Sequence, residues 1–134
     1  MATNRKLGNT FEAEFCEILY GYGFWVHNMA QNQAGQPADV IAARNGKAYL
    51  IDCKVCINDN FPFSRIESNQ HTAMVLWKDS GNGYGLFALQ LSDKRIYMID
   101  HELMIALSLN QASIGEDLIT HYGIPLERWV QKCK

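Results

Sequence analysis

Ala38-Asp39-Val40-Ile41-Ala42-Ala43-Arg44, then Asn45-Gly46, then Lys47-Ala48-Tyr49-Leu50-Ile51-Asp52-Cys53-Lys54-Val55 is the stretch that decides how this chain folds. Two strand-like runs are separated by Asn-Gly alone, the strongest short-range signal for a β-hairpin. With Asn45 and Gly46 as the turn, Arg44 faces Lys47, Ile41 faces Leu50 and Asp39 faces Asp52. Directly opposed side chains on one face have Cβ atoms about 5 Å apart, so two carboxylates there repel unless something compensates. Lys54 lies two residues beyond Asp52, and the period-2 geometry of a strand puts it on that same face.

An apolar strand face that ends in two carboxylates and an ammonium has the donor chemistry of a hard-cation site, suited to Mg²⁺ or Mn²⁺. The alternative is an edge hairpin whose polar face meets water, with Lys54 as partial counter-charge. The apolar neighbours on both faces favour burial, and burial makes an uncompensated carboxylate pair expensive.

Outward from the hairpin, Phe11, Phe15, Ile18 and Tyr22 recur at helical spacing. Asn9 or Thr10 is the expected N-cap and Gly21 and Gly23 the stop. Phe24 to His27 reads as a short strand and Gln31 to Gln36 as a loop. After a loop around Asn58 to Pro62, a helix is expected from about Ile66 to Lys78. Leu86–Leu91 and Arg95–Ile99 form a second strand pair across Ser92-Asp93-Lys94. Helical patterns at 101–109 and 113–122 follow, and Pro125 can start a last turn. The order predicts an α/β or α+β domain, a central mixed sheet flanked by helices, formed by residues 1–134 as one unit.

At 134 residues the chain can bury roughly 68% of the surface its unfolded form exposes, enough for a core without staples. Twelve Lys and Arg against fourteen Asp and Glu give a net charge of −2, which excludes a polybasic coat and confines any nucleic-acid contact to a local patch. No run approaches the ~20 apolar residues of a membrane span, and the start of the chain does not read as a signal peptide. Four cysteines are too few for a disulfide scaffold. The expected setting is the cytoplasm of a bacterial, archaeal or phage-infected cell.

Pro37-Ala38-Asp39, twelve intervening residues, and Asp52-Cys53-Lys54 resemble the core of the PD-(D/E)xK nucleases, with their restriction-endonuclease-like fold. Within that superfamily the chain is similar to Holliday junction resolvases of the archaeal Hjc type and the bacterial RecU type, phage-encoded ones included. Gly8 to Glu12 resembles the resolvase start, Gly21 to Phe24 the exit from the first helix, and Phe61 to Ile66 with Gln70 the segment after the core. The resemblance implies Glu12, Asp39 and Asp52 as acidic metal ligands, the backbone carbonyl of Cys53 as another, Lys54 as the group acting on water or phosphate, and Gln70 as its support. Glu14 is the rival to Glu12 on the helix. The chain departs from the pattern in carrying Asp52 where resolvases usually have Glu, and in having no segment long enough for the stalk of the RecU type.

The implied activity is Mg²⁺-dependent hydrolysis of DNA phosphodiesters in four-way junctions, with Mn²⁺ able to substitute. A homodimer supplies two sites for two symmetric cuts. No nucleotide cofactor and no membrane are implied. Arg5, Lys6, Arg44, Lys47, Arg65 and His71 are the expected DNA contacts, acting mainly on the phosphate backbone. Two other readings stand behind this one: a restriction- or repair-type nuclease acting on duplex, flap or single-stranded DNA, and a non-catalytic DNA-binding protein that keeps the fold. Cys53-x-x-Cys56 suggests zinc or redox chemistry only weakly, because residues three apart on a strand face opposite ways.

Overall fold

The computed structural model describes residues 4–29 and 38–133, with side chains from residue 7 onward. The expected loop at 31–36, Pro37, and the side chains of Arg5 and Lys6 lie outside the described residues.

Helix α1 (Asn4–Gly21) leads into strand β1 (Trp25–Asn28), followed by β2 (Val40–Arg44) and β3 (Lys47–Val55). Two short 3₁₀ turns bracket β4 (Asn60–Pro62) before α2 (Ser68–Asp79). Then come β5 (Leu86–Gln90), β6 (Ile96–Asp100), α3 (His101–Ser108), β7 (Ser113–Gly115), α4 (Glu116–Tyr122), β8 (Ile124–Pro125) and α5 (Leu126–Lys132). The main sheet has the order β1-β2-β3-β5-β6-β8, and β4 pairs with β7 in a separate two-stranded sheet. Every neighbouring pair in the main sheet is antiparallel except β3 and β5, which run parallel. A parallel neighbour requires a crossover, and the segment containing α2 supplies it.

The central hairpin has the expected register as far as Val40: Arg44 faces Lys47, Ile41 faces Leu50 and Val40 faces Ile51. Asp39, expected directly opposite Asp52, lies outside that ladder, because its N–H bonds the carbonyl of Ile51, the residue Val40 already faces. Asn45 and Gly46 both have positive φ, 55° and 79°, as a two-residue hairpin turn demands. Alternation along the strands divides the core. Val40, Ala42, Ile51, Cys53, Leu86, Ala88 and Met98 pack with Phe11, Phe15 and Leu19 of α1 and Trp129 and Val130 of α5. Leu50, Phe87, Leu89 and Ile99 pack on the other side with Met74 of α2, Met104 of α3 and Ile119 of α4. The result is a mixed sheet between two layers of helices.

The first helix corrects two expectations. It is already helical at Asn4, so Asn9 and Thr10 are interior rather than capping residues. Its buried stripe runs Phe11, Phe15, Leu19, while Ile18 and Tyr22 are 38% and 42% exposed. Steps of four residues keep a short stripe over one strip of sheet, which turns Ile18 outward. The 113–122 pattern is also split: Ser113–Gly115 is a strand bonded to β4, and the helix begins at Glu116. No helix of the described residues is long and apolar enough to cross a membrane.

Candidate active site

The site lies where β2 begins, beside the C-terminal half of β3. Asp39 sits one residue before β2, and there the ladder changes partner: its N–H donates to Ile51 O (3.1 Å) and its carbonyl accepts from Met29 N–H (2.8 Å). The Asp39 carboxylate adds a second bond to β3, with Oδ2 accepting from Cys53 N–H at 2.8 Å. In an extended strand a residue's N–H and C=O point the same way, so the Cys53 carbonyl faces the same gap.

Asp52, next in β3, is completely buried, and Asp39 is 5% exposed. Oδ1 of Asp52 accepts from the side-chain amide of Gln70 at 3.0 Å. Oδ2 faces Lys54 Nζ at 3.3 Å and makes no well-formed hydrogen bond. Lys54 shares a face with Asp52, as strand periodicity requires, and its side chain is 12% exposed. Gln70 is buried and comes from the first turn of α2, in the layer that covers this face of the sheet.

Glu12 arrives from the other layer. It follows Phe11 on α1, is 9% exposed, and meets the Asp39 carboxyl within hydrogen-bonding reach. Its solvated neighbour Glu14 lines instead a cavity of about 240 Å³ between α1 and the loops after β3 and β5. Burial, followed by the Asp39 charge and its hydrogen bond, raises the Glu12 carboxyl to about 8, with Lys54 opposing. Burial and then Asp39 push Asp52 well above the ordinary carboxylate range, and Lys54 again pulls the other way. Cys16, one turn beyond Glu12, has its thiol raised to about 11 by burial and then by Glu12 and Asp39. Three acids thus crowd one small volume with one ammonium, which cannot neutralise them all.

Among the described residues, no group of three or more His, Cys, Asp or Glu side chains is already closed to metal-ligand spacing. The donor chemistry nevertheless fits a hard divalent cation: all-oxygen, three carboxyls in one place, and one buried carboxylate oxygen without a well-formed hydrogen bond. Cys53 and Cys56 are both buried free thiols, each raised chiefly by burial, which suits core packing.

The expected DNA contacts fall into different surroundings. Arg44, an expected phosphate contact, is engaged within the fold. Its guanidinium donates to the carbonyls of Tyr22 (3.0 Å), Val130 (2.7 Å) and Cys133 (3.0 and 3.3 Å), and its centre lies 4.5 Å from the Phe24 ring centroid. These carbonyls lie at or just beyond the C-terminal ends of α1 and α5, where a cation satisfies the last acceptors. Arg65 donates to Val55 O at 2.6 Å and lies over Phe61, so it braces the exit of β3. Lys47 is exposed at the hairpin turn, at the opposite end of β3 from Lys54. His71 is exposed and hydrogen-bonded to buried His101 at 2.8 Å. That pairing joins α2 to the start of α3 and has no signal in the sequence, since the two residues are thirty positions apart.

A sequence model of the archaeal Holliday junction resolvase (Hjc) family matches residues 3–134. No curated protein matches the chain in sequence. Among solved structures, Hjc from Archaeoglobus fulgidus, a Holliday junction resolvase from an archaeal hyperthermophile, superposes with a TM-score of 0.69 at 16% identity, covering 93% of this chain and 99% of that one. A bacterial homing endonuclease superposes with a TM-score of 0.66 at 11% identity, covering 99% of this chain and 93% of that one. At these identities both likenesses concern the fold.

Proposed function

The chain belongs to the archaeal Holliday junction resolvase family, and from that premise we propose that it is a divalent-cation-dependent endodeoxyribonuclease that cuts four-way DNA junctions as a homodimer. The observation that carries this reading is the crowding of three carboxyls around one ammonium, with the buried Oδ2 of Asp52 facing Lys54 but making no well-formed hydrogen bond. Three buried carboxyls held against a single ammonium are expensive in a purely structural cluster, and a divalent cation offsets that cost.

Glu12, Asp39 and Asp52 would hold the cation, with the Cys53 carbonyl as a further oxygen donor. A bound Mg²⁺, or Mn²⁺ in its place, would polarise the scissile phosphate and lower the pKa of a coordinated water. The chain's own groups do the remaining work. Lys54 would donate to a phosphate oxygen or orient the attacking water. Gln70 occupies one oxygen of Asp52 and leaves the other facing the site. Burial around Asp52 lowers the local dielectric and strengthens each of these contacts. Two strands must be cut across a two-fold junction, which calls for two copies of a chain that holds one such cluster.

The test is cleavage of a synthetic four-way junction by purified protein with Mg²⁺, with linear duplex of the same sequence in parallel. Paired symmetric nicks in the junction, abolished by EDTA and by Asp52→Asn, support the reading. Equal cutting of duplex and junction would point to a restriction- or repair-type nuclease, and junction binding without any cutting to a DNA-binding protein.

A further inference from the structure

We infer that Glu67, a residue outside the carboxylate cluster, is a positioning residue: its main-chain N–H fixes which end of the Gln70 amide is presented to Asp52. The inference rests on the reading of Asp52 as a cation ligand. Glu67 is the N-cap of α2, and its N–H donates to Gln70 Oε1 at 3.2 Å. The bond is half of a reciprocal capping box, in which the Glu67 side chain accepts from the Gln70 backbone N–H. The other end of the same amide, Nε2, donates to Asp52 Oδ1 at 3.0 Å.

A side-chain amide can be turned over with little change in shape, so its orientation is decided by its partners. A main-chain N–H can only donate. The atom of Gln70 that faces Glu67 must therefore be oxygen, and the atom that faces Asp52 must be the NH₂. With the amide reversed, two donors would meet at Glu67 and two acceptors at Asp52. The helix cap thus selects a donor for Oδ1 and leaves Oδ2 as the open oxygen beside Lys54.

The site and the start of α2 are thereby one device. The cap is set by local chain geometry, since Glu67 has the extended φ and ψ of an N-cap, −76° and 151°. The next turn of the same helix carries Met74 into the core, which holds the helix at its distance from β3. Rotating Asp52 away would leave the buried Gln70 NH₂ without this acceptor, while the Glu67 bond stays intact.

Two substitutions separate positioning from simple capping. Glu is the usual third helical residue of a capping box, so Gln70→Glu preserves a purely structural role. The positioning role predicts about a 10–100-fold loss in apparent Mg²⁺ affinity for Gln70→Glu, because a second carboxylate then opposes Asp52. Glu67→Pro removes the donor N–H at a φ that the proline ring accepts, behind an Ile66 already in the extended region. In cation-free protein, ¹⁵N NMR should show slowed hydrogen exchange of the Gln70 side-chain NH₂. Glu67→Ala, which keeps the N–H, should retain that protection, and Glu67→Pro should lose it. Unchanged protection in folded Glu67→Pro, or an unchanged Mg²⁺ dependence in Gln70→Glu, overturns the inference. Should Glu67→Pro not fold, wild-type Gln70 NH₂ exchange as fast as that of a solvent-exposed amide overturns the inference. A wild type that neither binds nor needs Mg²⁺ sinks the nuclease reading, while the amide exchange still decides the role of Glu67.

Discussion

Lys54 Nζ stands 3.3 Å from Oδ2 of Asp52, the one oxygen of that carboxylate left without a hydrogen bond. The ammonium is therefore both the counter-charge that makes a buried acid tolerable and the donor nearest to whatever the acid will bind. Lys54→Met should reduce junction cleavage about 10²–10³-fold, the usual loss for one preorganised electrostatic donor. Gel-shift assays with Ca²⁺ should show junction binding close to wild type, since a single basic group accounts for little of a phosphate-dominated interface. Cleavage within a few fold of wild type would exclude Lys54 from the chemistry.

Stability should fall with rising pH in the absence of divalent cation. Glu12 titrates near 8 in the folded protein against 4.5 in an unperturbed chain, and Asp52 shifts in the same direction. A carboxyl with a raised folded pKa binds its proton more tightly when folded. Its contribution is complete below about 4.5 and drains away as the pH climbs through about 8. Urea unfolding at pH 5 and pH 8.5 in EDTA should show the decline, and Glu12→Gln should flatten it. Mg²⁺ should restore stability at the higher pH and release protons on binding, read by calorimetry in two buffers of different ionisation heat.

Arg44→Ala should destabilise the fold by about 2–4 kcal/mol, because it removes four charge-assisted bonds to carbonyls together with the guanidinium over the Phe24 ring. Lysine offers a single nitrogen in place of a planar fork, so Arg44→Lys should recover only a small part of this. At a temperature where both variants are folded, the salt dependence of junction binding should match wild type. A flattened salt slope would return Arg44 to the phosphate contacts.

His101 should titrate below 6.5. Burial lowers it first and the adjacent His71 charge second, against the opposing effect of Asp100 and Glu102. The sign is opposite to that of Glu12. Stability from this group is present above 6.5 and is lost as the pH falls below it. NMR titration of the His101 ring protons should give the low midpoint, and His71→Ala should move it up towards the ordinary value. A midpoint unchanged by His71→Ala would show that burial acts alone.

What could be read without coordinates is what local chemistry dictates. Asn45-Gly46 admits the left-handed backbone of a tight turn, and that turn sets the partner of every residue from Val40 to Arg44. Period-2 alternation then places Asp52 and Lys54 on one face. The same rules misjudged the exposed flank of α1, because a helix repeat says where a stripe can run and the opposing sheet chooses which stripe is used. Long-range packing decided the rest. Glu12 meets Asp39 only because α1 packs across the sheet beside the start of its second strand. Gln70 reaches Asp52 because a parallel β3–β5 pairing needs a crossover, and that crossover lays the first turn of α2 over the carboxylate. Arg44 looked like a surface cation in a hairpin until two helix ends, one of them eighty-nine residues away, brought their carbonyls to it. Backbone torsions and alternation act over a few residues and leave their mark in composition. The meeting of distant side chains depends on the closure of the whole core, which no short window of sequence contains.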